Sequence, residues 1–142
     1  MNDEQKMLIR AVRGFVTKEL LPLEDEIEEK GNLEPSKAKA IFQKSKSLGF
    51  YAMNIPEEFG GGGLSAVETC LAEEQFGRAK DILIRRAFGN VYEVLLKCKE
   101  TQRERWLLPT VCGERTCSIA ITEPGAGSDD TSIKTRAVKD GD

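Results

Sequence analysis

The sequence predicts an all-α domain through about residue 114, followed by the start of a β-region. Three observations predict it. Apolar residues recur at three- and four-residue spacing in segments between Leu8 and Leu107, each long enough for a helix. Residues that start and stop helices bracket those segments: Pro35, Ser65 with Glu68, Thr101 with Glu104, Gly49 and Gly113. After Gly113 the apolar period falls to two. The division expected is a helical domain over residues 1–114 and an incomplete β-domain over residues 115–142.

Each element has its own justification. Leu8, Val12, Phe15, Val16 and Leu20 form the stripe of a first helix and leave Lys6, Arg10, Arg13 and Lys18 largely outside it. Pro22 suits the first position of a new helical turn. The segment Glu24 to Lys30 is acidic, which reads as a solvated helix face, and Gly31-Asn32 stops it. Pro35 opens a helix with the stripe Ala38, Ile41, Phe42, Ser45 and Leu48, and Gly49 suits its C-terminal cap. Tyr51 to Ile55 is an apolar connector. Pro56 to Leu64 holds four consecutive glycines, too costly for a helix interior, and is a loop.

Ser65 and Glu68 match a capping box, with Val67, Cys70, Leu71 and Phe76 expected on the buried side of the helix that follows. A helix after Asp81 is expected to run past Ile84, Ala87, Phe88 and Val91 to Val94 and Leu95. Thr101 and Glu104 make a second capping box before a short helix with Trp106 and Leu107, kinked or restarted by Pro109 and ended by Gly113. Cys117, Ile119 and Ile121 then alternate with polar or small residues, Ile133 to Val138 alternates again, and Asp140-Gly141 is a hairpin-turn signal. Two short strands are marginal alone, so the protein is expected to continue past Asp142.

Composition excludes several functions. Lys and Arg number 21 against 24 Asp and Glu, a net charge of −3, which lacks the basic surplus of a nucleic-acid binder. There is no histidine, so Ser-His-Asp and Cys-His catalysis and His-ligated metals are ruled out within these residues. The four cysteines, Cys70, Cys98, Cys112 and Cys117, form no C-x-x-C pair. No metal is expected. The polar N-terminus and unpaired thiols fit a cytoplasmic chain, and no apolar run can span a membrane.

The chemistry-bearing stretch is Ile121-Thr122-Glu123-Pro124-Gly125-Ala126-Gly127-Ser128-Asp129. A strand entering a loop with two glycines lets backbone approach a ligand, and its free N–H groups can cradle an anion or a polarised heterocycle. Thr122 and Ser128 add hydroxyl donors. It is neither a Walker A loop nor a G-x-G-x-x-G turn.

This stretch resembles the signature of the acyl-CoA dehydrogenases, flavoenzymes that oxidise acyl-CoA thioesters. Four further segments are similar in order and spacing. They are Arg10 to Leu20 with Phe15; Leu48-Gly49-Phe50 before Asn54 to Gly61, which is similar to a "PEE(Y/F)GG" loop; Gln102 to Pro109, with Trp106 where the family has tyrosine; and Gly113-Glu114.

The resemblance implies an N-terminal helical bundle, a middle β-domain and a C-terminal four-helix domain. It implies FAD as cofactor, an acyl-CoA substrate, electron-transferring flavoprotein as partner, a homo-oligomer (tetramer or dimer) and a place in fatty-acid metabolism. By motif, Ile119, Ile121, Thr122 and Gly127 would meet the flavin and Ser128 the acyl-CoA. The catalytic carboxylate would lie beyond Asp142, and Glu123 would be structural. Arg85 and Arg86 are expected, on helical spacing, to face solvent. The alternatives are a non-catalytic helical interaction module, and an acyl-CoA oxidase or flavin monooxygenase of the same superfamily.

Overall fold

The computed structural model describes residues 1–89 and 91–141. Its elements in chain order are α1 (Asp3–Phe15), α2 (Glu24–Lys30), α3 (Pro35–Ser47), α4 (Ala66–Phe76), α5 (Asp81–Ala87), α6 (Glu100–Gln102) and α7 (Leu108–Val111), with the longer connections at 48–65 and 88–99. Among the described residues there is no strand. The architecture is the all-α one expected.

Local chemistry sets most of the boundaries. Asn2 caps α1 reciprocally: its Oδ1 accepts from the Gln5 N–H at 2.8 Å, and Gln5 Oε1 accepts from the Asn2 N–H at 3.1 Å. The same box opens α4, where Glu68 Oε2 accepts from the Ser65 N–H at 2.9 Å. Gly31 ends α2 at φ 68° and Gly49 follows α3 at φ 75°, left-handed conformations that suit glycine.

Both prolines inside helical paths leave the same mark. A π-turn spans Val16–Leu20 before Pro22, and another spans Arg103–Leu107 before Pro109, each starting six residues ahead of the ring. Proline has no N–H to donate and its ring crowds the carbonyl four residues back. The backbone widens by one residue per turn ahead of it, and the helix bends without breaking.

Helix α1 packs on α4, and α3 on α5. Between them sits a core of edge-to-face rings: Phe15–Phe50 at 5.5 Å, Phe76–Phe88 at 5.6 Å, and Phe76 at 6.4 Å from both Phe15 and Phe50. Val12, Val16, Leu20, Ile41 and Leu83 close around them. A second, smaller core joins Ala52, Ile55, Val91, Leu107 and Val111.

Five expectations need correction. In α4, Val67 is 61% exposed and Cys70 is exposed, whereas Ala72, Gln75 and Phe76 are buried. Helix α4 carries apolar residues on several sides, so packing on α1 chose its inner face. Leu48 leaves the α3 stripe and is exposed, because α3 ends at Ser47. The helix after Asp81 stops at Ala87, and Glu93–Lys97 forms a separate 3-10 turn with Val94 exposed. Gly89 breaks the run at φ +88°, where a Cβ would lie 2.8 Å from the Tyr51 ring.

The fourth correction concerns the cap near residue 100. The helix begins at Glu100, with Gln102 Oε1 accepting from the Lys99 N–H at 3.0 Å, so Thr101 is not its cap. The fifth concerns the first strands, expected at residues 117–122 and 133–138. They form no ladder among the described residues, and backbone pairing there is limited to the isolated bridge Glu123–Ala126. Extended segments need a neighbour for their N–H and C=O groups, and these two do not supply one to each other. Gly141 has the φ of +87° suited to the expected turn, without a hairpin around it; Asp142 lies outside the described residues.

Candidate functional site

The signature residues lie in the segment that leaves the helices at Gly113. Gly113 itself turns the chain at φ +79° directly against Phe42, whose ring lies 2.3 Å from where a Cβ would sit. Arg115 stacks over Trp106 at 5.4 Å, with Arg105 also over that ring at 4.8 Å. From Thr116 to Thr122 the backbone forms no hydrogen bond with other backbone among the described residues. Ile119 is 60% and Ile121 45% exposed.

At Glu123 the chain becomes ordered by its own contacts. The Glu123 N–H donates to the Ala126 carbonyl and the Ala126 N–H to the Glu123 carbonyl, both at 3.0 Å, closing a turn over Pro124-Gly125. Ala126 is buried beneath it. The Glu123 carboxylate then reaches twelve residues ahead. It accepts from the Lys134 N–H at 2.6 Å, the Thr135 N–H at 3.1 Å and the Thr135 hydroxyl at 2.5 Å. Residues 123–135 form a compact loop whose two ends are fastened by one side chain. Inside it, Asp129 accepts from the Thr131 and Ser132 hydroxyls and from the Thr131 N–H, ordering the turn Asp130–Ser132.

These bonds settle what the two carboxylates can do. The Thr135 hydroxyl, then the Lys134 amide, hold the Glu123 carboxyl below its ordinary value; the Ser132 and Thr131 hydroxyls do the same for Asp129. A general base works best with its pKa near the working pH. Both groups are therefore organisers of the loop and poor bases at neutral pH.

Apart from Ala126, the remaining signature residues are exposed. Thr122, Gly127 and Ser128 are exposed, and the hydrogen bonds that build the loop run through Glu123 and Asp129 instead. Gly125 and Gly127 do not have positive φ, and a Cβ at either would meet nothing within 4 Å. Nothing inside the chain demands glycine at these two positions. They fit a surface to which something else comes close. The structure places Gly127 and Ser128 on the 123–135 loop, Thr122 immediately before it, and Ile119 and Ile121 on the arm leading to it. The partners Lys134 and Thr135 carried no local signal in the sequence, because they meet Glu123 only through loop closure. Among the described residues, no group of three His, Cys, Asp or Glu could hold a metal, and no helix is long and apolar enough to cross a membrane.

Comparison with known proteins gives this arrangement a family. Residues 2–114 match the family model described as acyl-CoA dehydrogenase, N-terminal domain. The chain is 32% identical over 152 residues to the caffeyl-CoA reductase-Etf complex subunit CarC of Acetobacterium woodii, covering 99% of this chain and 38% of that protein. It is 31% identical over 146 residues to the mitochondrial isovaleryl-CoA dehydrogenase of Bos taurus, covering 100% of this chain and 34% of that one. The solved acyl-CoA dehydrogenase of Bacillus anthracis, complexed with FAD, superposes with a TM-score of 0.72 at 29% identity, over 94% of this chain and 23% of that chain. The chain thus spans well under half the length of the curated relatives it matches. With the family model matched from residue 2 to residue 114 and the same fold found in a solved member, this chain belongs to the acyl-CoA dehydrogenase family.

Proposed function

We propose that residues 1–142 are the N-terminal part of an FAD-dependent acyl-CoA dehydrogenase, with a helical domain to about residue 114 and the beginning of a middle β-domain after it. The observation that carries this reading is the exposure of Thr122, Gly127 and Ser128 at and just before a loop fastened by Glu123, in a chain whose helical domain is of this family. The residues fit a flavin: hydroxyl donors, apolar Ile119 and Ile121, and glycines with open space above them. FAD, when bound, supplies the acceptor for the β-hydrogen of an acyl-CoA as hydride.

In this reading the chain's own residues bind and orient. Ile119 and Ile121 cover apolar ring surface and lose their own exposure in doing so. The Thr122 hydroxyl would donate a hydrogen bond to the flavin, where a donor favours developing negative charge. Gly127 allows close backbone approach, and Ser128 contacts the acyl-CoA. Glu123 keeps the loop in place and is not the base; the α-proton goes to a carboxylate beyond Asp142. Electron-transferring flavoprotein as partner, a homo-oligomeric state and a cytoplasmic location complete the reading; the Acetobacterium woodii relative is named for an Etf complex.

The test uses the longer protein that contains this chain. It should carry flavin absorbance that bleaches on addition of acyl-CoA, and a colourless protein indifferent to acyl-CoA overturns the proposal. Residues 1–142 alone, with FAD added, should reduce no artificial electron acceptor. In the longer protein, Thr122→Val removes one hydrogen bond to a charged group, worth about 1.5–3 kcal/mol. It should lower the two-electron potential by roughly 30–65 mV. An unshifted potential with normal reduction kinetics removes Thr122 from the site.

A further inference from the structure

A cleft lies between α3, α5 and the chain leaving Gly113, and no residue of the 123–135 loop lines it. Its floor is apolar. Ala38 and Phe42 come from α3, and the Phe42 and Tyr51 rings meet edge to face at 4.9 Å and 89°. Two glycines hold this floor in shape. The Gly113 backbone presses on Phe42 and the Gly89 backbone on Tyr51, each at a positive φ and each too close for a Cβ. The cleft encloses about 360 Å³, and a smaller cavity of about 190 Å³ adjoins it, sharing Tyr51, Arg85, Arg86 and Thr116. Such a volume suits a small ligand.

The rim is cationic. Lys39 from α3 and Arg85 and Arg86 from α5 line it, and among the described residues no carboxylate lines either cavity. Both arginines are exposed, as helical spacing implied. Arg85 spends its Nε on Asp81 at 2.6 Å, which leaves its four other N–H donors. Arg86 and Lys39 form no ion pair among the described residues, although the chain as a whole carries more acids than bases. Tyr51 stays a neutral donor beside them. Burial, reinforced by Cys117, raises its pKa despite the Arg86 charge. Among the described residues its hydroxyl makes one long bond, 3.4 Å, to the Thr110 carbonyl.

We propose that this cleft binds an organic carboxylate with a short apolar body: the carboxylate at the Arg86–Lys39 rim, the body on Phe42 and Tyr51. The guanidinium fork matches a carboxylate bidentately, and the aromatic floor selects against an anion without hydrocarbon. The proposal stands on this chain alone and is independent of the flavin reading.

The test is a titration of the isotope-labelled 142-residue chain, in phosphate-free buffer at constant ionic strength, followed by backbone amide NMR. Three probes are compared: hexanoate, hexan-1-ol and inorganic phosphate. Hexanoate should shift amides of Ala38 to Phe42, Arg85 to Ala87 and Gly113 to Thr116 saturably, and bind more tightly than either of the others. Because Arg86 is exposed, Arg86→Gln should leave the helical circular dichroism unchanged and weaken hexanoate about tenfold, the loss of one charge-assisted bond. Lys39→Gln should weaken it in the same direction. Hexan-1-ol binding as tightly overturns the cationic rim, and phosphate binding as tightly overturns the apolar floor. Shifts that never saturate, or an Arg86→Gln chain that binds hexanoate unchanged, overturn the site itself.

Discussion

Substituting alanine at Gly61 tests how the glycine-rich loop is built. The loop folds back onto residues 52–55: the Gly62 N–H donates to the Ala52 carbonyl at 3.2 Å, the Gly63 N–H to the Ile55 carbonyl at 2.8 Å and the Leu64 N–H to the Met53 carbonyl at 2.9 Å. Ala52, at φ 56°, is itself held left-handed beneath these bonds. A Cβ on Gly61 would lie 2.1 Å from the Ile55 carbonyl oxygen and 2.6 Å from its carbonyl carbon. Those atoms are backbone, and Ile55 is fully buried, so no rotamer change relieves the contact. The loop must lift by about 1 Å, an overpacking strain of roughly 1–3 kcal/mol. Lifting it strains or breaks one or two of the loop bonds, at about 0.5–1.5 kcal/mol each. Gly61→Ala should therefore destabilise the chain by about 1.5–6 kcal/mol. Urea unfolding followed by circular dichroism measures this as a lower midpoint at constant m. Gly125→Ala, where a Cβ meets nothing, is the control and should stay within about 0.5 kcal/mol of the parent. A Gly61→Ala midpoint equal to that of the control would refute the reasoning.

Gly14 gives the opposite sign: it sits inside α1 with nothing within 4 Å of its Cβ position, so Gly14→Ala should stabilise by up to about 1 kcal/mol in the same unfolding assay. Ser45 is fully buried and its hydroxyl donates to the Ala87 carbonyl at the end of α5; Ser45→Ala should cost about 1–3 kcal/mol, and a loss under half a kilocalorie would remove that bond from the account. For Glu123 the sign follows from its lowered pKa. The clamp is complete above the ordinary glutamate value of about 4.3 and is lost as pH falls through the lower folded value. Carboxyl NMR should place its midpoint below that value, and Glu123→Gln should speed hydrogen exchange at the Lys134 and Thr135 amides; unchanged exchange there contradicts the clamp.

Sequence alone determined the features whose causes lie within a few residues. The Ser65–Glu68 box, Pro35 at the head of α3, and the stops at Gly31 and Gly49 depend on local hydrogen bonds and backbone sterics, and each stands where its residues imply. The stretch Ile121 to Asp129 was legible for the same reason, as a run of glycines and hydroxyls unsuited to a core. Tertiary structure decided whatever depends on a partner far along the chain. Packing of α4 on α1 buries Gln75, where the Arg13 side chain, 62 residues earlier, donates to it at 2.8 Å, and leaves Val67 outside. Helix α5 ends early where Gly89 backs onto the Tyr51 ring. The alternating residues after Gly113 have the period of strands, but a strand is a pairing, and among the described residues no neighbouring strand pairs with them. Glu123 shows the limit most clearly: its role is set by two amides and a hydroxyl at residues 134 and 135, which no spacing rule connects to it and only closure of the loop brings within reach.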